Sequence, residues 1–332
     1  MRAVVCEEFG PFENMVVRDW PTPEPGPSEV RIDIKAIGVG FAQSLLVAGK
    51  YQIKPERPFI PGVDACGVIS ALGPDVSGVA IGDRVCTAVF GGAFAEHSVV
   101  PDFTCHALPD GMPFDEGVLL ATTYATSYGA LVWSGRLQAG ETVLVHGAAG
   151  AIGLAAVEIA KAKGAKVIGT TGTDEKCAAI RKHGADLAIN YQTDDFVSAV
   201  KAWTDGHGAD VVIDPVGGDV SEPSLRAMAH GARMVTLGYA AGSIPRLPIN
   251  FLLLKNMTVT GLNIGTYLGW PPFNAGRQHL TKVRALYDDL RAMYVAGQLK
   301  PPVSHRFPLE QFNDAMETVL SRRSIGKVIL EP

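Results

Sequence analysis

The segment Gly147-Ala148-Ala149-Gly150-Ala151-Ile152-Gly153 has the residue types and spacing of a phosphate cradle. It follows an apolar, strand-like run, Thr142–His146, and leads into a helical pattern, Ala151–Lys163. That order supplies a tight turn, a glycine where backbone must approach a pyrophosphate, and a glycine that lets helix and strand pack closely. The helix start adds unpaired N–H groups and the positive end of its dipole. Ala148 stands where the first glycine of G-x-G-x-x-G falls, and a glycine cluster by itself is also what a plain tight turn uses. The strand before it, the helix after it and the further βα units decide for a dinucleotide.

The next strand reads the ribose. Sites for NAD usually place a carboxylate about 20 residues beyond the glycines, where it holds the 2′-hydroxyl and would repel a 2′-phosphate. Here that strand ends Gly169-Thr170-Thr171-Gly172-Thr173, with no carboxylate before Asp174 and with Lys176 close behind. Gly172, Thr173 and Lys176 supply backbone, hydroxyl and ammonium donors suited to a phosphate. NADPH is therefore the expected cofactor. Lys176 also reads as an ordinary solvated helix lysine.

These residues need a scaffold, and the pattern from Glu141 onward provides one. Strand-like runs at Thr142–His146, Lys166–Thr171, Leu187–Tyr191, Asp210–Val216, Arg233–Tyr239 and Thr258–Ile264 alternate with helical patterns, among them Asp174–His183, Asp195–Thr204 and Val220–His230. Such a series predicts an α/β fold with a doubly wound parallel sheet and helices on both faces. Residues 1 to about 125 instead carry short alternating runs broken by Gly and Pro, the texture of a β-rich domain. Prolines 21, 23, 25 and 27 predict an extended connector. The uncharged stretch 117–135 is long enough to span a bilayer, yet its threonines, serines, tyrosines and glycines insert poorly, so it reads as a buried segment joining two domains. A helix over about 279–296 and a strand at Lys327–Leu330 close the chain, and the segment after 265 is expected to return to the first domain.

With 332 residues the chain predicts two domains. Its 29 basic and 34 acidic side chains leave a net charge of −5 without a Lys/Arg-rich block, which argues against nucleic acid and anionic membrane surfaces as partners. Five scattered cysteines without Cys-x-x-Cys spacing argue against a disulfide framework and fit a reducing cytoplasm. The N-terminus shows no basic region leading into an apolar run, so no targeting segment is expected.

The order Pro61-Gly62-Val63-Asp64, Gly82-Asp83-Arg84-Val85, the Gly147–Gly153 loop, Asp210–Val216 and Leu237-Gly238-Tyr239 resembles the medium-chain dehydrogenase/reductase superfamily, and within it the zinc-independent NADPH:quinone oxidoreductase (zeta-crystallin-like) branch. The resemblance covers essentially the whole chain. It implies a GroES-like catalytic domain over 1–125 with 265–332 returning to it, a Rossmann domain over 126–264, a cleft between them, and a homodimer joined through Thr258–Ile264. It implies Thr126 at the nicotinamide, Ala151 and Ile152 at the pyrophosphate, and Tyr191 on the adenosine side, although Tyr191 also reads as a strand-end core residue. Gly172, Lys176 and Arg322 form the implied 2′-phosphate set, with Arg323 as the rival of Arg322. Gly238, Tyr239, Asn263 and Ile264 are implied along the nicotinamide. Tyr51 is implied beside the substrate, as proton donor or as pocket wall.

No metal is expected. Zinc members of the superfamily carry Gly-His-Glu where this chain has Gly62-Val63-Asp64, and a cysteine ligand near Gly40; valine and glycine cannot coordinate zinc. Cys86, His97, Cys105 and His106 match no zinc spacing and read as buried thiols and a surface histidine. One departure concerns the acceptor: the branch commonly carries Asn-Phe-x-Asp where this chain reads Gly40-Phe41-Ala42-Gln43. The expected activity is hydride transfer from NADPH to a quinone or related electron-poor acceptor. An enone or 2-enoyl-thioester reductase, and a protein that binds NADPH without turnover, are the alternatives.

Overall fold

Short alternating runs open the chain and pair antiparallel as β1 (Arg2–Val5) and β2 (Val16–Asp19). In β3 (Glu29–Val39), Val30, Ile32 and Ile34 turn inward while Arg31, Asp33 and Lys35 stay at least partly exposed, the alternation of a strand with one face on a core. A short helix follows, α1 (Phe41–Val47), then β4 (Asp64–Leu72), β5 (Arg84–Ala88), β6 (His97–Pro101) and β7 (His106–Ala107). Ile32, Ile37, Ile69 and Phe94 are fully buried at the centre of this β-rich unit.

The uncharged stretch is a helical run: α2 (Phe114–Leu119), a π turn over Leu120–Tyr124, α3 (Ala125–Tyr128) and a second π turn over Gly129–Ser134. Nearly all of its 117–131 portion is buried, which explains why it lacks charge.

The βα series then runs β8 (Thr142–Val145), α4 (Ala151–Ala162), β9 (Lys166–Thr171), α5 (Asp174–Lys182), β10 (Leu187–Asn190), α6 (Phe196–Trp203), β11 (Ala209–Asp214), α7 (Ser221–Ala227), β12 (Met228–Thr236), α8 (Asn250–Lys255) and β13 (Thr258–Gly261). The six strands form one parallel sheet in the order β10-β9-β8-β11-β12-β13. Neighbours β8 and β11 reverse the direction of winding there, the switch point where ligands bind in such sheets. The helical pattern over Val220–His230 is only partly realised, because Met228 aligns with Ala209 of β11 and starts the next strand. Burial of Met228 and Ala229 in the sheet core outweighs their helical propensity. The next two strands also end earlier than their apolar pattern, β12 at Thr236 and β13 at Gly261, so residues 237–239 and 262–263 are loops.

Last come α9 (Ile264–Leu268), α10 (Leu280–Val295), β14 (Val303–Pro308), α11 (Phe312–Leu320) and β15 (Lys327–Glu331). β15 pairs antiparallel with β3 and parallel with β14, giving the sheet order β14-β15-β3-β4-β5-β7. The computed structural model describes Met1–Pro332 and divides into two units. One holds Met1–Thr122, Ile264–Ala292 and Pro301–Pro332; the other holds Thr123–Asn263 and Met293–Lys300. The returning segment thus leaves Met293–Lys300 with the parallel sheet. No helix is long and apolar enough to cross a membrane.

Candidate active site

In the parallel-sheet unit the loop after β8 turns at Gly147, whose φ of +57° only glycine adopts at little cost. A Cβ on Gly153 would stand 2.6 Å from the Ala148 Cα, so this glycine is what lets α4 approach the strand. Ala148 fits because Gly169 on β9 has no side chain: a Cβ there would lie 2.9 Å from that of Ala148. Gly150 caps α4, and a Cβ placed on it would meet only the Gly147 oxygen, at 3.4 Å. The space outside Gly150, Ala151 and Ile152 is open to a phosphate, with the first N–H groups of a twelve-residue helix facing it. Ser127 donates to the Ile152 carbonyl at 2.8 Å, which sets Thr126 beside the first turn of α4. On the inner side of α4 the buried Glu158 accepts from Tyr124 Oη at 2.6 Å, pairs with His183 at 2.5 Å, and accepts the Lys300 N–H at 3.0 Å.

At the end of β9, Gly172 lies against Tyr191: a Cβ on the glycine would stand 2.7 Å from the phenol oxygen. Thr173 caps α5 by accepting the Lys176 N–H at 3.2 Å, so Gly172, Thr173, Lys176 and Tyr191 form one surface. The first carboxylate beyond this strand, Asp174, accepts from Asn190 Nδ2 at 2.8 Å and is held toward β10.

Across the sheet, Asp214 pairs in register with Thr236, and Thr236 with Gly261, so the loops after β11, β12 and β13 leave at one level. Buried Asp214 accepts the N–H groups of Val216 and Gly217, each at 2.9 Å, and the Ser221 hydroxyl at 2.6 Å. Tyr239 packs on Gly217, where a Cβ would come within 2.7 Å of its ring, and Gly238 faces the Pro215 carbonyl. Behind the loops His146 bridges Thr170 Oγ1 at 2.9 Å and Ser224 Oγ at 2.8 Å, and burial pushes its pKa down to about 4. Thus Thr126, the Gly147–Gly153 loop, Gly172, Thr173, Lys176, Tyr191, Gly238, Tyr239 and Asn263 all belong to this unit, most of them at the carboxyl ends of its strands. Ile264, Arg322 and Tyr51 belong to the other unit. Arg322 follows α11 with φ +56°, while Arg323 is engaged by Ser321 Oγ at 2.9 Å and by Glu317.

In the β-rich unit, Gly38, Asp64 and Ala88 align across β3, β4 and β5, and Val328 of β15 aligns with Val39. Everything attached at that level shares one sheet end. Lys327 Nζ donates to Asp64 Oδ2 at 2.6 Å, both groups buried, and Thr122 Oγ1 donates to the other carboxylate oxygen. Trp270 Nε1 donates to the Ala88 carbonyl at 3.4 Å. Its ring lies 5.9 Å from that of Phe90, which lies 6.4 Å from that of Tyr51. Burial raises the Tyr51 pKa, so the phenol keeps its proton at neutral pH. The sequence reading missed Phe90, Trp270 and Lys327. Only Asp64 in Pro61-Gly62-Val63-Asp64 offered a signal, a carboxylate at the head of an apolar strand that demands a buried partner.

Val63 and Gly40 offer no metal ligand, and the Asp64 carboxylate is occupied by an ammonium and a hydroxyl. His106 is not at the surface: it is buried and stacked on Tyr287 with ring centroids 3.5 Å apart, and burial pushes its pKa down to about 3. The half-exposed histidine is His97, bonded to Asp33 at 2.8 Å.

Two family models match, the alcohol dehydrogenase GroES-like domain over residues 26–110 and the zinc-binding dehydrogenase over residues 151–277. The chain is 38% identical to quinone oxidoreductase-like protein 2 homolog of Nematostella vectensis, covering 99% of this chain and 88% of that protein. It is 33% identical to quinone oxidoreductase of Homo sapiens over 99% of this chain and 97% of the other. Escherichia coli quinone oxidoreductase, solved in complex with NADPH, superposes with a TM-score of 0.91 at 29% identity, covering 100% of both chains. The chain therefore belongs to the medium-chain dehydrogenase/reductase superfamily, in its quinone oxidoreductase-like branch, and is an oxidoreductase built from a GroES-like and a Rossmann-type domain.

Proposed function

We propose that this chain is an NADPH-dependent, zinc-independent reductase whose acceptor is a quinone. The end of β9 carries the cofactor reading: Gly172, Thr173 and Lys176 would supply the donors to a ribose phosphate, and the nearest carboxylate, Asp174, is tied to Asn190. The relative solved with NADPH supports the same cofactor. The open cradle outside Gly150 fits a pyrophosphate. NADPH, when bound, supplies a hydride and leaves as NADP⁺, while the acceptor takes up that hydride and one proton from solvent.

The chain's own part is to bind, orient and exclude water. The α4 N-terminus neutralises phosphate charge, and the Asp214 clamp holds the loop after β11 on which Tyr239 packs. In the GroES-like domain Tyr51, Phe90 and Trp270 offer an aromatic wall to a flat ring. A quinone needs little polarisation because its product is aromatic, which suits a wall with few acids. Tyr51, protonated at neutral pH, is the observation favouring an enone or 2-enoyl thioester, since those acceptors need a delivered proton.

The exposed edge of β13 and the exposed Ile249, Leu253 and Leu254 on and beside α8 support a second copy of this chain as partner. The deciding experiment follows NADPH and NADH oxidation with quinones, enones and enoyl-CoA esters, with and without a chelator. Fast quinone turnover with NADPH that survives chelation supports the reading. Turnover confined to enoyl esters, or none with any acceptor, rejects it.

A further inference from the structure

Beyond Val145 and Gly169 the pairing of β8 with β9 stops, and the two strands lead to different parts of the cofactor site. The first runs into the Gly147–Gly153 cradle, the second into the turn of Gly172, Thr173 and Lys176. His146 and Thr170 are the next residues on each strand, and their side chains meet, Nδ1 to Oγ1, at 2.9 Å. A main-chain bond also crosses there, from the Ala148 N–H to the Thr170 carbonyl at 3.0 Å.

The direction of each side-chain bond is set by what lies behind it. Ser224 on α7 spends its one hydrogen on the Val220 carbonyl at 2.6 Å, so its oxygen is left to accept from His146 Nε2 at 2.8 Å. Burial pushes the His146 pKa down to about 4, so at neutral pH the ring carries a single hydrogen, and it sits on Nε2. Nδ1 therefore accepts, and the Thr170 hydroxyl donates to it. All three side chains are buried, and the Phe196 ring stands nearly perpendicular to the imidazole, at 81° with centroids 5.1 Å apart. Thr170, His146 and Ser224 thus form one strut that ties β9 and α7 to the end of β8, directly before Gly147.

We propose that His146 is a positioning residue for the cofactor, its bond to Thr170 fixing the spacing between the pyrophosphate cradle and the 2′-phosphate turn so that NADPH engages both at once. The inference rests on the NADPH reading and adds a residue that acts on both phosphate sites from beneath them. Both of its nitrogens are engaged within the protein, so it works through its neighbours and not by touching the cofactor. A ligand held at two places gains from the second only where the spacing of the two fits it.

The test is isothermal titration of NADPH, NADH and adenosine 2′-monophosphate. NADPH needs both sites, NADH lacks the 2′-phosphate, and the monophosphate lacks the pyrophosphate. Thr170→Val keeps a β-branched residue on the strand and removes the hydroxyl. His146→Gln brings an amide nitrogen near the place of Nε2, for Ser224, and gives up the acceptor for Thr170. Both substitutions are expected to weaken NADPH by about tenfold, the worth of one net hydrogen bond, and to leave the other two ligands unchanged. His146→Asn, whose amide oxygen stands where Nδ1 stood, is expected to restore NADPH affinity. A residue needed only for folding would weaken all three ligands alike. That result, unchanged NADPH affinity in Thr170→Val, or a His146→Asn variant as weak as His146→Gln overturns the proposal. Failure of the NADPH reading shows separately, in the unsubstituted protein, as NADPH bound no more tightly than NADH.

Discussion

Lys327 and Asp64 stand 263 residues apart in the chain and form one buried ion pair, with Nζ 2.6 Å from Oδ2. The carboxylate starts β4, the ammonium starts β15, and β3 runs between the two strands. Removing one partner strands a buried charge, so Asp64→Asn is expected to cost about 3–5 kcal/mol in chemical denaturation. The double variant Asp64→Leu with Lys327→Met should recover most of that loss. A single variant as stable as the parent would mean that the pair is solvated and carries little.

Lys176 sits in the first turn of α5, its main-chain N–H donating to Thr173 Oγ1, next to Gly172 and Tyr191 at the end of β9. Lys176→Ala should weaken NADPH binding by about 1–3 kcal/mol, the worth of a charge-assisted hydrogen bond, while NADH affinity stays nearly unchanged. Isothermal titration with both cofactors decides it. Equal losses for both would move the 2′-phosphate away from this surface.

Gly150→Val separates the cradle from the fold. The glycine's φ of −75° suits a branched residue, and a Cβ there meets only one backbone oxygen, at 3.4 Å. Circular dichroism and thermal midpoint should be preserved while NADPH binding is lost, because the added methyls occupy the path of the pyrophosphate. Normal NADPH affinity in this variant would contradict the assignment of the loop.

Tyr51 is one end of the aromatic wall, and burial keeps its phenol protonated. A general acid is typically worth about 10²–10⁴-fold in rate, whereas a wall residue acts mainly through KM. Tyr51→Phe should leave quinone turnover within about tenfold of the parent. A fall of several hundredfold in kcat with cofactor affinity intact would favour the enone or enoyl-thioester reading.

His106 and His146 are buried in the neutral form, with pKa values pushed down to about 3 and about 4 from an ordinary 6.5. Between each depressed value and the unfolded value the unfolded chain binds more protons, so stability falls as pH drops below about 6.5. Each histidine contributes a slope of about 1.4 kcal/mol per pH unit in its window. His106→Phe keeps a ring on Tyr287 and removes one titration, so denaturation midpoints should decline less steeply from pH 6.5 to 4.5. An unaltered acid limb would show that His106 is protonated in the folded protein.

The Rossmann-type series was legible along the chain because its signals are local. A strand, a glycine turn and a helix start lie within a dozen residues of one another, and burial on one face writes a period into the sequence. The missing carboxylate after β9 was legible for the same reason. The ends of β12 and β13 were not, since Leu237 and Leu262 are apolar enough to continue a strand and only the neighbouring register ends the pairing. Register also decided most of the second half of the site. Trp270 reaches the Ala88 carbonyl, Lys327 reaches Asp64, and His106 lies under Tyr287 because strands and helices far apart in sequence meet at fixed levels. A lone Trp, Lys or His carries no local pattern that names its partner. The identity of these residues is written in the sequence, and their chemistry is set by burial and by the groups that the tertiary fold brings within hydrogen-bond distance.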